Sequence, residues 1–191
     1  IGNLTPGGKI LASLFQSVTL RTAGFASFNQ DALTEASKAL SDLLMFVGGS
    51  SGSTAGGVKT VTMGLVVLSA FSTMRGRRQV TVFGRSISQE DISNAVSVAL
   101  LVMGLSLLGA AVITVCDGCS FMNAIYETIS ALCTVGLTTG ITPTLCTASK
   151  LILIVFMFFG RVGIMTIGVG FMMGDRAKER VQYAQTKVMI G

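Results

Sequence analysis

Tyr126-Glu127-Thr128-Ile129-Ser130-Ala131-Leu132-Cys133-Thr134-Val135-Gly136-Leu137 repeats the earlier stretch Phe15-Gln16-Ser17-Val18-Thr19-Leu20-Arg21-Thr22-Ala23-Gly24-Phe25, at low similarity and with one gap. Each copy runs aromatic, polar, small, β-branched, hydroxyl, and then Thr, a small or apolar residue, Gly and a large apolar residue. A polar stretch follows each copy, Ala26 to Thr34 and Thr138 to Thr147, and a long apolar segment follows that. Ahead of the second copy stands Ile92 to Cys116, 25 residues without one Asp, Glu, Lys or Arg. At about 1.5 Å of rise per residue, such a run crosses a hydrocarbon core of about 30 Å. The unit is therefore helix, short re-entrant helix, Gly-containing loop, helix, and the chain holds one whole unit and one lacking its first helix.

Composition agrees with a lipid environment. Half of the 191 residues are hydrophobic and only 12% are charged, against roughly a quarter in soluble domains. Mean hydropathy is +0.71. A second apolar block, Leu151 to Gly174, carries one charge, Arg161, and a third, Leu43 to Met74, carries one, Lys59. Three membrane-crossing segments are the expected minimum. The shorter apolar stretches Ile10 to Leu20 and Phe121 to Leu132 suit re-entrant or interfacial helices, not spans.

The net charge of +5 is distributed in a way that excludes nucleic acid as a partner. Arg75, Arg77, Arg78 and Arg85 share one inter-helix loop, Arg176, Lys178, Arg180 and Lys187 share the tail, and two spans separate these clusters. Both lie on one side, which the positive-inside bias makes cytoplasmic. No basic helix face with interleaved aromatics accompanies the charge. The chain opens on Ile1 with neither Met nor a signal peptide, and the expectation is that more protein precedes it.

The third block is abnormal in its middle. Gly48-Gly49-Ser50-Ser51-Gly52-Ser53-Thr54-Ala55-Gly56-Gly57 places five glycines in ten residues, each costing a helix about 1 kcal/mol relative to Ala. Irregular backbone at membrane depth survives where it is buried in protein or lines a water-filled cavity. A broken helix facing a conduction path follows, with close helix packing through the glycines as the alternative. Gly52 to Thr60 nearly spells a Walker A loop, but Val58 stands between the second Gly and Lys59, and no preceding strand is expected.

Two further features carry candidate chemistry. Arg161 sits ten residues into its apolar block. An unpaired Arg at mid-bilayer costs at least ~2.5 kcal/mol, so it should face protein or water. It is read as an electrostatic barrier or a partner for freed carbonyls, against a structural ion pair or snorkelling, and Lys59 carries the same alternatives. Cys116 and Cys119 form a CxxC, which could serve a redox pair or half a zinc site. The chain has no His, and Cys133 and Cys146 lack zinc-site spacing, so the plainer reading is small residues at a helix end, with room for one extracytoplasmic disulfide.

Thr134-Val135-Gly136-Leu137 and Thr22-Ala23-Gly24-Phe25 resemble the Thr-Val-Gly-Tyr core of a potassium filter. A dehydrated K+ needs oxygens to replace its water, and carbonyls from converging loops supply them. Gly24 and Gly136 allow the backbone angles required, and the C-terminal ends of the preceding short helices would point at the ion. The alternative is a pair of ordinary re-entrant turns.

Phe15 to Phe25, Phe46 to Thr60, Glu127 to Pro143 and Phe159 to Thr166 together resemble the pore-forming subunit of the bacterial Trk/Ktr potassium-uptake systems. The resemblance implies an all-α membrane fold of four helix–pore loop–helix repeats in one polypeptide. It implies that this chain is a fragment comprising the third repeat without its first helix, residues 1–90, and the fourth repeat with a cytoplasmic tail, residues 91–191. It implies that Thr22 to Phe25 and Thr134 to Leu137 are two quarters of the filter, holding K+. It also implies that Gly48 to Gly57 is a gating intramembrane loop, and that Arg161 helps form the barrier beneath the filter. A cytoplasmic nucleotide-binding regulatory ring and a second pore subunit are the implied partners in the cell membrane. No cofactor is implied; K+ is the transported ion, and Na+ is a candidate coupling ion. The readings from another class are a membrane redox protein or enzyme using Cys116 and Cys119, and a helical scaffold that does not transport.

Overall fold

The computed structural model describes residues 5–50, 52–53, 55–76, 79–82 and 85–163. Ser51, Thr54, Arg77, Arg78, the basic tail and the second half of the Leu151 to Gly174 block lie outside the described residues. Those described form helices α1 (Pro6–Thr19), α2 (Glu35–Phe46), α3 (Thr60–Met74), α4 (Gln89–Asp117), α5 (Phe121–Leu132) and α6 (Thr147–Val162). A hairpin of two-residue strands, β1 (Thr81–Val82) and β2 (Arg85–Ser86), joins α3 to α4, and Thr81 pairs with Ser86.

Local chemistry sets the helix ends. Pro6 begins α1, where its missing N–H is not needed, and the Thr5 hydroxyl accepts from the Gly8 amide at 3.3 Å. Thr34 caps α2 by accepting from the Ser37 amide at 3.3 Å, and Ser88 caps α4 by accepting from the Asp91 amide at 3.1 Å. Gly118, at φ +64°, ends α4 in the left-handed conformation and returns its amide to the Thr114 carbonyl at 2.9 Å. Asp117 then accepts from the Cys146 amide at 2.6 Å and from the Ser149 hydroxyl, tying the end of α4 to the start of α6.

Among the described residues, α4 is the one helix long and apolar enough to cross a bilayer unaided. The other two apolar blocks expected to span do not form single long helices among the described residues. Leu43 to Met74 becomes two helices, α2 and α3, because residues 47–59 leave helical geometry where the glycines gather. The Leu151 to Gly174 block enters as α6, and its continuation lies outside the described residues.

Small side chains let α4 approach its neighbours. Ala95, Ala99, Val102, Ser106, Gly109, Ala110 and Ile113 form its buried stripe, while Leu100, Leu101, Leu107, Leu108 and Val115 remain exposed. That division is the one a lipid-facing helix shows, with small residues inward and large apolar ones outward. At Gly109 a Cβ would meet the ring of Phe156 on α6. Helix α5 is the centre of the core: Tyr126 to Leu132 are all buried, enclosed by α2, α4 and α6. Its bounds coincide with the short apolar stretch read as re-entrant.

Candidate functional site

The two Thr-x-Gly loops share one backbone conformation. Thr22 lies at φ +67° and Gly24 at +76°, and Thr134 lies at +55° and Gly136 at +87°. Thr22 and Thr134 are the only non-glycine residues with positive φ among those described. A β-branched side chain avoids that region, at a cost of order 1–3 kcal/mol, so surrounding contacts must impose it. Sequence reading assigned this freedom to the glycines alone and missed the threonines.

The imposing contacts also repeat. In the first copy, the Thr19 hydroxyl donates to the Phe25 carbonyl at 2.7 Å and accepts from the Phe25 amide at 2.8 Å. In the second copy, Ser130, the equivalent residue, donates to the Leu137 carbonyl. The Ala23 amide donates to the Thr19 carbonyl at 3.1 Å, and its equivalent, the Val135 amide, to the Ser130 carbonyl at 2.9 Å. The loops meet where a Cβ on Gly24 would overlap the Val135 carbonyl, whereas beside Gly136 the space is open.

The glycine-rich segment closes on itself and presses against the second loop. Val47 and Val58 form a parallel bridge, with the Gly48 amide donating to the Val58 carbonyl at 2.9 Å and the Thr60 amide to the Gly49 carbonyl at 3.1 Å. Gly48 leaves no room for a Cβ beside the Gly56 carbonyl. Lys59 donates from Nζ to the Ser53 carbonyl at 2.8 Å, so its ammonium braces this segment from within. The Gly56 amide donates to Thr134 Oγ1 at 2.9 Å, and Gly57 lies against Cys133. From the other side, Gly160 packs under the Leu132 carbonyl and against Thr134. Arg161 follows it, exposed, in the last turn of α6.

Above the second loop lies a residue whose role sequence reading missed. Glu127 is 4% exposed, yet one carboxylate oxygen accepts from the Thr138 hydroxyl at 2.6 Å, the Thr139 amide at 2.9 Å and the Thr139 hydroxyl at 3.0 Å, and the other accepts from the Thr142 hydroxyl at 2.9 Å. Gln16, its equivalent in the first copy, donates to Gln30 Oε1 at 2.6 Å. The signal was present as an acidic residue inside a short apolar segment, at the position where the other copy has an amide.

The competing chemistries find little support. All four cysteines are free, and burial pushes the Cys119 thiol above its usual value, which disfavours the reactive thiolate. Helix α2, not a strand, precedes the near-match to a Walker A loop.

Residues 1–179 match the TrkH family, described as a cation transport protein. The chain belongs to the TrkH family of cation transporters. The chain is 37% identical over 191 residues to the Ktr system potassium uptake protein B of Bacillus subtilis, covering all of this chain and 42% of the relative. To the potassium/sodium uptake protein NtpJ of Enterococcus hirae it is 35% identical over 188 residues, covering 96% of this chain and 42% of the relative. To the Ktr system potassium uptake protein B of Vibrio alginolyticus it is 33% identical over 193 residues, with coverage of 100% and 42%. The chain thus spans about two fifths of the length of the curated relatives it matches. A TrkH-family chain is a membrane protein of a transporter class, not of an enzyme class.

Proposed function

We propose that this chain supplies two of the four quarters of a narrow pore for K+ uptake, with Thr22 to Phe25 and Thr134 to Leu137 lining the filter. The observation that carries the reading is the matched left-handed pair, Thr22 with Gly24 and Thr134 with Gly136, in loops that touch at Gly24 and the Val135 carbonyl. Left-handed residues at alternate positions turn successive carbonyls toward one side of the strand. A row of carbonyls on one side is what a dehydrated cation requires. Helix α5 ends at this row, and the negative end of its dipole favours a cation there. The names of the relatives, potassium uptake and potassium/sodium uptake, support K+ as cargo and keep Na+ as a candidate second ion.

Gly48 to Gly57 is the gate in this account, and Arg161 contributes a positive barrier beneath the filter. The contact of Gly56 with Thr134 supports the reading, because the glycine-rich segment then touches the first residue of a proposed filter loop. Residues 1–90 and 91–191 are then the third and fourth repeats. In the whole protein we assign the basic loop between α3 and α4 and the C-terminus to the cytoplasm, where a nucleotide-binding regulatory ring would act on the gate, and we assign a dimer of pore subunits.

The test is radiolabelled Rb+ uptake by the full-length protein in a host lacking its own potassium uptake, with Na+ as competitor. Gly24→Ser and Gly136→Ser should lower K+ over Na+ discrimination while the protein still reaches the membrane. Unchanged discrimination and unchanged apparent K+ affinity in both variants would reject the filter.

A further inference from the structure

The two filter loops are held from behind by different chemistry. In the first copy, Gln16 and Gln30 join side chain to side chain at 2.6 Å, Gln30 donates onward to the Phe28 carbonyl at 3.0 Å, and the Tyr126 hydroxyl from the second copy donates to Gln30 at 3.2 Å. In the second copy, Glu127 gathers three threonine hydroxyls and one backbone amide on a single buried carboxylate. These donors all belong to residues 138–142, the stretch that begins immediately after Leu137. On its other side Leu137 is held by Ser130, one helical turn beyond Glu127 on α5. Leu137 therefore has its carbonyl fixed by one α5 side chain and its onward chain fixed by another.

We propose that Glu127 is a positioning residue for ion selectivity: it sets the outer end of the fourth-repeat filter loop through Thr138, Thr139 and Thr142. The inference rests on the filter reading above. Four donors converge on a group that only accepts, and such bonds to a carboxylate are the stronger kind. Glutamine at this position keeps one oxygen for the Thr139 amide and offers an NH2 to the Thr142 hydroxyl, which can accept. Alanine leaves the Thr139 amide without an acceptor and frees the loop.

The experiment measures K+ and Na+ uptake, with apparent KM and maximal rate separated, for Glu127→Gln, Glu127→Ala and Gly136→Ser in the full-length protein, normalised to the amount in the membrane. Glu127→Ala should lower K+ over Na+ selectivity about tenfold or more, chiefly through a raised KM for K+. Glu127→Gln should recover most of that loss. A structural role alone would lower the amount of protein and the maximal rate and leave selectivity as it was. Should Glu127→Ala fail to reach the membrane, the double variant Thr138→Val/Thr142→Val removes two of the four donors and carries the same expectation. Wild-type selectivity in these variants, with Gly136→Ser altered, overturns the role of Glu127 alone. Wild-type selectivity and K+ affinity in Gly136→Ser, and equally in Gly24→Ser, overturn the filter reading and this inference with it.

Discussion

The amide of Gly56 donates to the hydroxyl of Thr134 at 2.9 Å, joining the glycine-rich segment to the first residue of the second Thr-x-Gly loop across 78 positions of sequence. Thr134 is one of two non-glycine residues held at positive φ among the described residues. The hydrogen bond and the backbone strain therefore sit on one residue. A displacement of residues 48–57 would remove a partner from the residue whose conformation most needs outside support.

Gly56→Ala should disturb that junction. Its Cβ would lie 2.5 Å from Thr134 Oγ1 and 2.9 Å from the Cys133 carbonyl, so the segment must shift. Overpacking of this kind costs about 1–3 kcal/mol. We expect a lower thermal midpoint for the full-length protein in detergent and a raised basal flux. Wild-type values of both would remove the segment from the gate.

Gly24 and Gly136, the glycines of the two proposed filter loops, should differ in what alanine does to them. At Gly24 a Cβ meets the Val135 carbonyl, whereas at Gly136 it meets open space and only the left-handed backbone opposes it. The second cost is about 1–2 kcal/mol, and the first adds a backbone clash. Gly24→Ala should therefore lower stability more than Gly136→Ala, although both loosen selectivity. Equal thermal midpoints would contradict the contact between the loops.

Thr19 and Ser130 occupy equivalent positions and clamp equivalent carbonyls, Phe25 and Leu137. Removing either hydroxyl, by Thr19→Val or Ser130→Ala, should cost about 1 kcal/mol and raise the apparent KM for K+. Two similar shifts would agree with a twofold-repeated filter. An effect at one position and none at the other would not.

Arg161→Ala should speed permeation if its charge opposes the cation. At an effective dielectric near 20 and about 6 Å, Coulomb's law gives on the order of 3 kcal/mol of repulsion, which is roughly two powers of ten in rate. Flux through properly inserted protein is the readout. A loss of transport together with a loss of thermal stability would mean that the guanidinium holds the structure.

Periodicity and composition made much of this architecture legible. The limits of α5 coincide with the Phe121 to Leu132 stretch, a predominantly apolar run of 12 residues, and the glycines after Phe46 mark the break there. What stayed hidden depends on distance along the chain. Nothing local tells Thr22 and Thr134 to adopt positive φ, since β-branching argues against it; the Thr134 hydroxyl is reached from Gly56, and Glu127 finds its donors 11 to 15 residues later. Lys59 carries three readings from sequence, a barrier, a partner for freed carbonyls and an ion-pair member, and its Nζ donates to a carbonyl of the broken segment, Ser53; which carbonyl it meets depends on a loop closure that a sequence does not display.

The central claim is that backbone carbonyls of Thr22 to Phe25 and Thr134 to Leu137 hold the transported cation. The most direct measurement is anomalous scattering from Rb+ or Tl+ in crystals of the full-length protein. The account predicts peaks in coordination with those carbonyls, diminished when Na+ replaces the heavier ion and displaced in Gly136→Ser. Peaks located elsewhere in the protein, with none along either Thr-x-Gly loop, would contradict it.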